Sequence, residues 1–67
     1  MEEFEKRLIE ERNDLEKKIA KLLVFVKSDK FKHLPEEDQF LLTIQSNCML
    51  NYLATLEQRI KRLDLNF

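Results

Sequence analysis

Four residues of this chain have the chemistry to hold a ligand: Arg12, Gln45, Tyr52 and Arg59. An arginine fork matches two phosphate oxygens at once and keeps its charge at any physiological pH. A tyrosine ring can stack on a base or ribose, and a glutamine amide can both donate and accept. Gln45, Tyr52 and Arg59 recur at seven-residue intervals, so on a helix they share one face. Together with Arg12 they occupy positions where the surrounding pattern calls for apolar side chains. A small anionic ligand of nucleotide type is the expectation such a set raises. The same residues support a second reading. An unpartnered arginine in a helix seam is expensive, so Arg12 can pair with Glu16 or Glu57, and Arg59 with Glu5 or Glu11. Gln45 would then set the register, as single polar residues do in coiled coils.

Catalytic chemistry has no such foothold. Cys48 is the sole cysteine and His33 the sole histidine. That leaves no internal disulfide and no Cys/His metal cluster. A cysteine nucleophile needs a base beside it, and His33 falls in the segment between the two helical stretches, away from Cys48. With no glycine in the chain, glycine-rich phosphate loops are absent. The expectation is a protein that is not an enzyme and uses neither cofactor nor metal.

The charge balance narrows the partners. Twelve basic and thirteen acidic residues give a net charge of -1, against the basic surplus of a duplex nucleic-acid binder. Lys17, Lys18, Lys21, Lys27, Lys30 and Lys32 form a cluster, but acids are mixed into it. The opening MEEFEKRL has no export pattern, and a free cysteine fits a reducing cytoplasm.

These residues must be positioned by helices. One proline, no glycine and 37% charged residues read as all-helical. We expect a single domain over residues 1–67: helix 1 about 2–27, a connection over 28–34 with at most one helical turn, and helix 2 about 35–64. In helix 1, Leu8, Leu15 and Leu22 recur every seven residues, with Ile19 and Val26 on the neighbouring row. In helix 2, Leu42, Gln45, Met49, Tyr52, Leu56, Arg59 and Leu63 form an unbroken 3-4 seam, flanked by Leu41, Cys48, Leu53 and Ile60. Phe31 and Leu34 anchor the connection, and Pro35 suits the first helical position. A short connection folds the helices back antiparallel, with Leu22 near Gln45, Leu15 near Tyr52, and Leu8 near Arg59 and Ile60.

One stretch points to assembly. From Gln39 to Leu56 no residue is charged, although a solvent-facing helix normally carries charge on its outer face. Gln39, Thr43, Asn47, Asn51 and Thr55 stand at four-residue intervals there, with Cys48 beside them. We expect these six to form an interface with other copies, making an antiparallel hairpin that assembles into a homo-oligomeric helical bundle. A chain this short has too little core to dispense with such support. The stretch is too polar to span a membrane. Ligand pockets would then lie between subunits. The alternative is a protein-interaction module that lays a helix face on another protein and inhibits it.

The residues also carry a resemblance. Arg7, Glu11, Leu15, Lys18, Ile19, Leu22, Phe25, Ser28, Phe31 and Leu34, followed by Leu42, Gln45, Met49, Tyr52, Leu56, Arg59 and Ile60, follow the pattern of a family of small phage-encoded helical-hairpin proteins related to a short protein of crAss-like phages. Cys48 departs from it, standing where a small residue such as alanine is expected. The resemblance implies a phage origin, residence in the bacterial host cytoplasm, and no catalysis. It also implies a counter-defence role, in which oligomeric hairpins act as sponges for the nucleotide signals of bacterial immunity.

Overall fold

The computed structural model describes residues 2–64, in three helices: α1 over Glu3–Val26, α2 over Asp29–Lys32 and α3 over Glu36–Arg62. The start of α1 is fixed by its third residue, since the Glu5 side chain accepts the Glu2 backbone N–H at 2.8 Å. Ser28 ends one helix and starts the next. Its hydroxyl donates to the Phe25 carbonyl and accepts from the Phe31 N–H. Serine does both because its hydroxyl is donor and acceptor at once. The single turn α2 then packs back on α1 through Phe31, whose ring meets Phe25 edge to face at 6.2 Å between centroids. Pro35 stands just outside α3 as its N-cap, one position earlier than expected, with Glu36, Glu37 and Asp38 in the first turn. Those acids and the basic Arg59, Lys61 and Arg62 of the last turn both complement the helix dipole. The chain leaves α3 through Asp64 at φ 56, a left-handed position that aspartate tolerates better than most residues.

The two long helices lie antiparallel. Phe4 lines a cleft with Arg62 and Leu63, Arg12 reaches Glu57 at 2.9 Å, and Leu23 and Val26 sit against Thr43 and Ser46. The expected pairing of Leu15 with Tyr52 holds, since both line one groove. The molecule is a rod of 46 × 15 × 14 Å.

The core consists of Leu8, Leu15 and Ile19 from α1 and Leu56 and Ile60 from α3, with Ile9, Leu23, Met49 and Leu53 packed against it. This corrects one expectation. The α3 seam runs Leu42, Ser46, Met49, Leu53, Leu56, Ile60, whereas Gln45, Tyr52 and Arg59 are exposed. Both 3-4 patterns contain Leu42, Met49 and Leu56. Choosing between them means burying either Leu53 and Ile60 or Tyr52 and Arg59. Burying each aliphatic gains about 2–3 kcal/mol, while burying an arginine costs several unless it is paired. The helix turns accordingly.

Candidate functional site

Arg12 sits on the hairpin flank that carries Glu57, with its side chain 18% exposed. Its guanidinium bonds Glu57 on α3 at 2.9 Å and also pairs with Glu16 one turn along α1. A third bond runs to Asn13 Oδ1 at 3.1 Å. Both acids named as alternatives from the sequence are therefore its partners at once. The arrangement ties the two long helices together and uses the charge that a phosphate would need.

Gln45, Tyr52 and Arg59 run along the other flank. Tyr52 and Glu57 are five residues apart, hence about 140° apart around α3, so the structure does not bring Arg12 together with the other three in one chain. The Gln45 amide donates to Met49 Sδ, at 3.9 Å. Tyr52 borders a groove of about 410 Å³ whose wall on α1 includes Arg7, Glu10, Glu11, Asp14 and Lys18. Three carboxylates against two cations make that groove unfavourable for an anion, and Arg7 already has Glu3 at 3.7 Å.

Arg59 is different. With Arg62, Phe4 and Leu63 it lines a cup of about 280 Å³ at the end of the rod where α1 begins and α3 ends. Phe4 is 57% exposed. Among the described residues no acid lines this cup and neither arginine has an ion-pair partner. Glu5 and Glu11, expected as partners for Arg59, do not reach it. Two free guanidinium forks beside an accessible aromatic face can hold a phosphate and stack the group attached to it. Phe4 and Arg62 were not among the expected ligand residues. The signal for them was present, because antiparallel pairing sets the first turn of α1 opposite the last turn of α3, where Arg62 stands one helical turn from Arg59.

The expected interface row behaves unevenly. The Gln39 amide donates to the carbonyls of Leu34 at 2.8 Å and Lys32 at 3.2 Å, clamping the connection to α3. The hydroxyls of Thr43 and Thr55 donate to carbonyls of their own helix, at Gln39 and Asn51. Asn47 borders an apolar groove with Leu23, Val26, Phe31 and Leu50. Cys48 and Asn51 are exposed. The larger unpartnered surface of α3 is apolar: Phe40, Leu41, Ile44, Leu50 and Tyr52 are between 41% and 64% exposed.

Among the described residues no group of histidine, cysteine, aspartate and glutamate is placed to hold a metal ion, and no helix is long and apolar enough to cross a membrane. The protein-family model described as Sequestin matches residues 2–62. No curated protein and no solved structure matches the chain.

Proposed function

The chain belongs to the Sequestin family over residues 2–62, a name that implies a sequestering role, and we propose that what it sequesters is a nucleotide-type immune signal. The protein holds the signal without turning it over, as a phage counter-defence factor acting in the cytoplasm of its bacterial host, in pockets between subunits of a homo-oligomer. The observation that carries this reading is the cup of Phe4, Arg59 and Arg62, where two cations stand beside an exposed ring and no acid among the described residues lines the wall. Arg62 is its anchor, with Arg59 one helical turn back beside it. Tyr52 and Gln45, one and two heptads back from Arg59 along the same face, extend the surface toward a neighbouring subunit. Arg12 serves as an interhelix tie, which removes it from the ligand set.

Sequestration by mass action makes a plain demand: the ligand must come back unchanged. Incubation with a panel of linear and cyclic nucleotides should raise the melting temperature for at least one of them, and heating the complex should release that compound intact. Replacing Arg59 and Arg62 by alanine should weaken binding at least about tenfold per arginine, in line with the loss of charge-assisted hydrogen bonds. A panel with no thermal shift, or a double variant that binds as well as the parent, overturns the assignment.

The exposed apolar surface of α3 favours a second reading, in which the sequestered partner is a host or phage protein. That reading gives a stoichiometric protein complex whose stability ignores Arg59 and Arg62.

A further inference from the structure

The outward face of α3 has a symmetry that nothing inside one chain requires. Glu37, Leu41, Ile44, Cys48, Tyr52, Thr55 and Arg59 are all exposed and fall on one side of the helix, at spacings of 4-3-4-4-3-4. The row is centred on Cys48. Counting outward from it, Ile44 answers Tyr52, Leu41 answers Thr55, and the acid Glu37 answers the base Arg59. The average spacing, about 3.7 residues per turn, keeps the row nearly straight along an α-helix.

We propose that this face is a two-fold interface with a second copy of the same chain, the two α3 helices antiparallel and crossing at Cys48. A two-fold axis makes a patch meet itself, so the patch must be self-complementary. This one is: antiparallel packing sets Ile44 on the partner's Tyr52 and closes each end with Glu37 against the partner's Arg59. Parallel packing would set acid on acid and base on base. The occupant is therefore chosen by charge as well as by apolar area. Leu41 at 54%, Ile44 at 41% and Tyr52 at 46% exposure supply the dry centre, in the one long stretch of chain that carries no charge to desolvate. The interface lies on a different face from α1, so the hairpin can form it without rearranging. It also sets the acidic first turn of the partner's α3 beside the Arg59 end of this chain, so in the dimer Arg59 is committed to the partner's Glu37 and Arg62 is the uncommitted cation of the Phe4 cup. The proposal does not rest on any ligand being bound.

Packed helices lie about 8–10 Å apart, with Cα atoms about 2.3 Å from each axis. Two Cys48 residues on the axis therefore have Cα atoms about 3.5–5.5 Å apart, which overlaps the range a disulfide spans. Mild oxidation with diamide should convert the protein to a species of twice the mass on denaturing gels, reversible by thiol. A variant with Cys48→Ser and Ala54→Cys, which moves the thiol about 120° around α3 to its other flank, should cross-link at least about tenfold more slowly. Sedimentation in reducing buffer supplies the second arm. Arg59→Glu alone and Glu37→Arg alone should each raise the dissociation constant about tenfold, two facing pairs per dimer each changing from attractive to repulsive. The double exchange should restore association. A Cys48 that cross-links no faster than the displaced thiol overturns the proposal. So does a charge exchange that fails to restore what the single reversals lose. Since neither arm contains a nucleotide, failure here is distinct from failure of the sequestration reading.

Discussion

The two ends of this rod are built differently. Toward the end that carries the chain termini, Leu8 and Leu15 meet Leu56 and Ile60, and the last two are fully buried. Toward the connection, Ile19 of α1 is buried at 5%, and the one buried residue of α3 between Glu36 and Leu50 is Ser46, at 6%. Several large side chains there face outward: Val24 is 72% exposed, Phe40 64% and Leu41 54%. Charge follows the reverse distribution, since the connection half of α3 has none beyond its first turn. Where a helix pair makes its own core, its outside is charged. Where the outside is apolar and uncharged, the helix pair alone leaves it unburied. An exposed apolar surface of that kind ordinarily marks an interaction site, so the buried side chains of the terminal half hold the fold, and the apolar surface of the connection half is the part that the proposed association would cover.

The largest expected effect tests that division directly. Leu56→Ala empties a site with 0% exposure and should cost about 2–5 kcal/mol, the range for large-to-small changes in a packed core. In a 67-residue chain that is enough to abolish folding at any protein concentration. Leu41→Ala removes as many atoms from a side chain that is 54% exposed. At concentrations too low for association it should leave thermal unfolding almost unchanged. At high concentration it should lower the midpoint, because what it weakens is contact between chains. Equal losses from the two variants at low concentration would mean that the division into halves is wrong.

The sequence made much of this legible, for reasons that differ between the halves. The α1 stripe was readable because Leu8, Leu15 and Ile19 compete with no other apolar row for the inward face. The helix limits at the connection, Val26 and Glu36, were readable to within one residue because the segment from Ser28 to Pro35 contains both the serine that caps α2 and the proline that cannot continue a helix. The α3 register was not. Gln45, Tyr52 and Arg59 form as regular a spacing as Ser46, Leu53 and Ile60, and spacing alone cannot choose between them. Transfer energy can, and it selects the set with two aliphatics and no charge. The ligand cup was harder still. Its residues come from opposite ends of the chain, so it exists only once the antiparallel pairing is known.

A smaller effect concerns the tie between the helices. Arg12 bonds Glu57 across the interface while Glu57 itself remains 38% exposed, so solvent screens the pair. Arg12→Ala should cost about 1 kcal/mol, near the top of the range for partly exposed pairs. Part of that is lost packing of its alkyl stem. The cost should shrink as salt is added and should not depend on protein concentration, because the bridge lies within one chain. Denaturant titrations at low and high ionic strength separate this from an effect on assembly. A loss that grew with protein concentration would place Arg12 in a subunit contact instead.

The smallest effect probes how loosely the connection half is packed. Ser46 occupies a seam position where the terminal half has leucine or isoleucine, and its hydroxyl merely donates to the Leu42 carbonyl at 3.0 Å. That carbonyl lies four residues back and already serves the helix ladder, so losing the hydroxyl costs little. Beside Ser46 lies a groove of about 340 Å³ lined by Leu23, Val26, Phe31 and Leu50. Ser46→Leu places a branched aliphatic against those side chains and replaces a poor helix former with a good one. It should stabilise the chain by up to about 1 kcal/mol, a rise of several degrees in the melting temperature for a domain of this size. Enlarging a side chain in a close-packed core has the opposite sign, costing about 1–3 kcal/mol. The sign of the shift is therefore the measurement. Stabilisation means that space beside the seam was left open at the connection end. Destabilisation of the overpacking size means that both ends are equally tight, and that the exposed apolar residues of α3 owe their position to something other than an unfinished core.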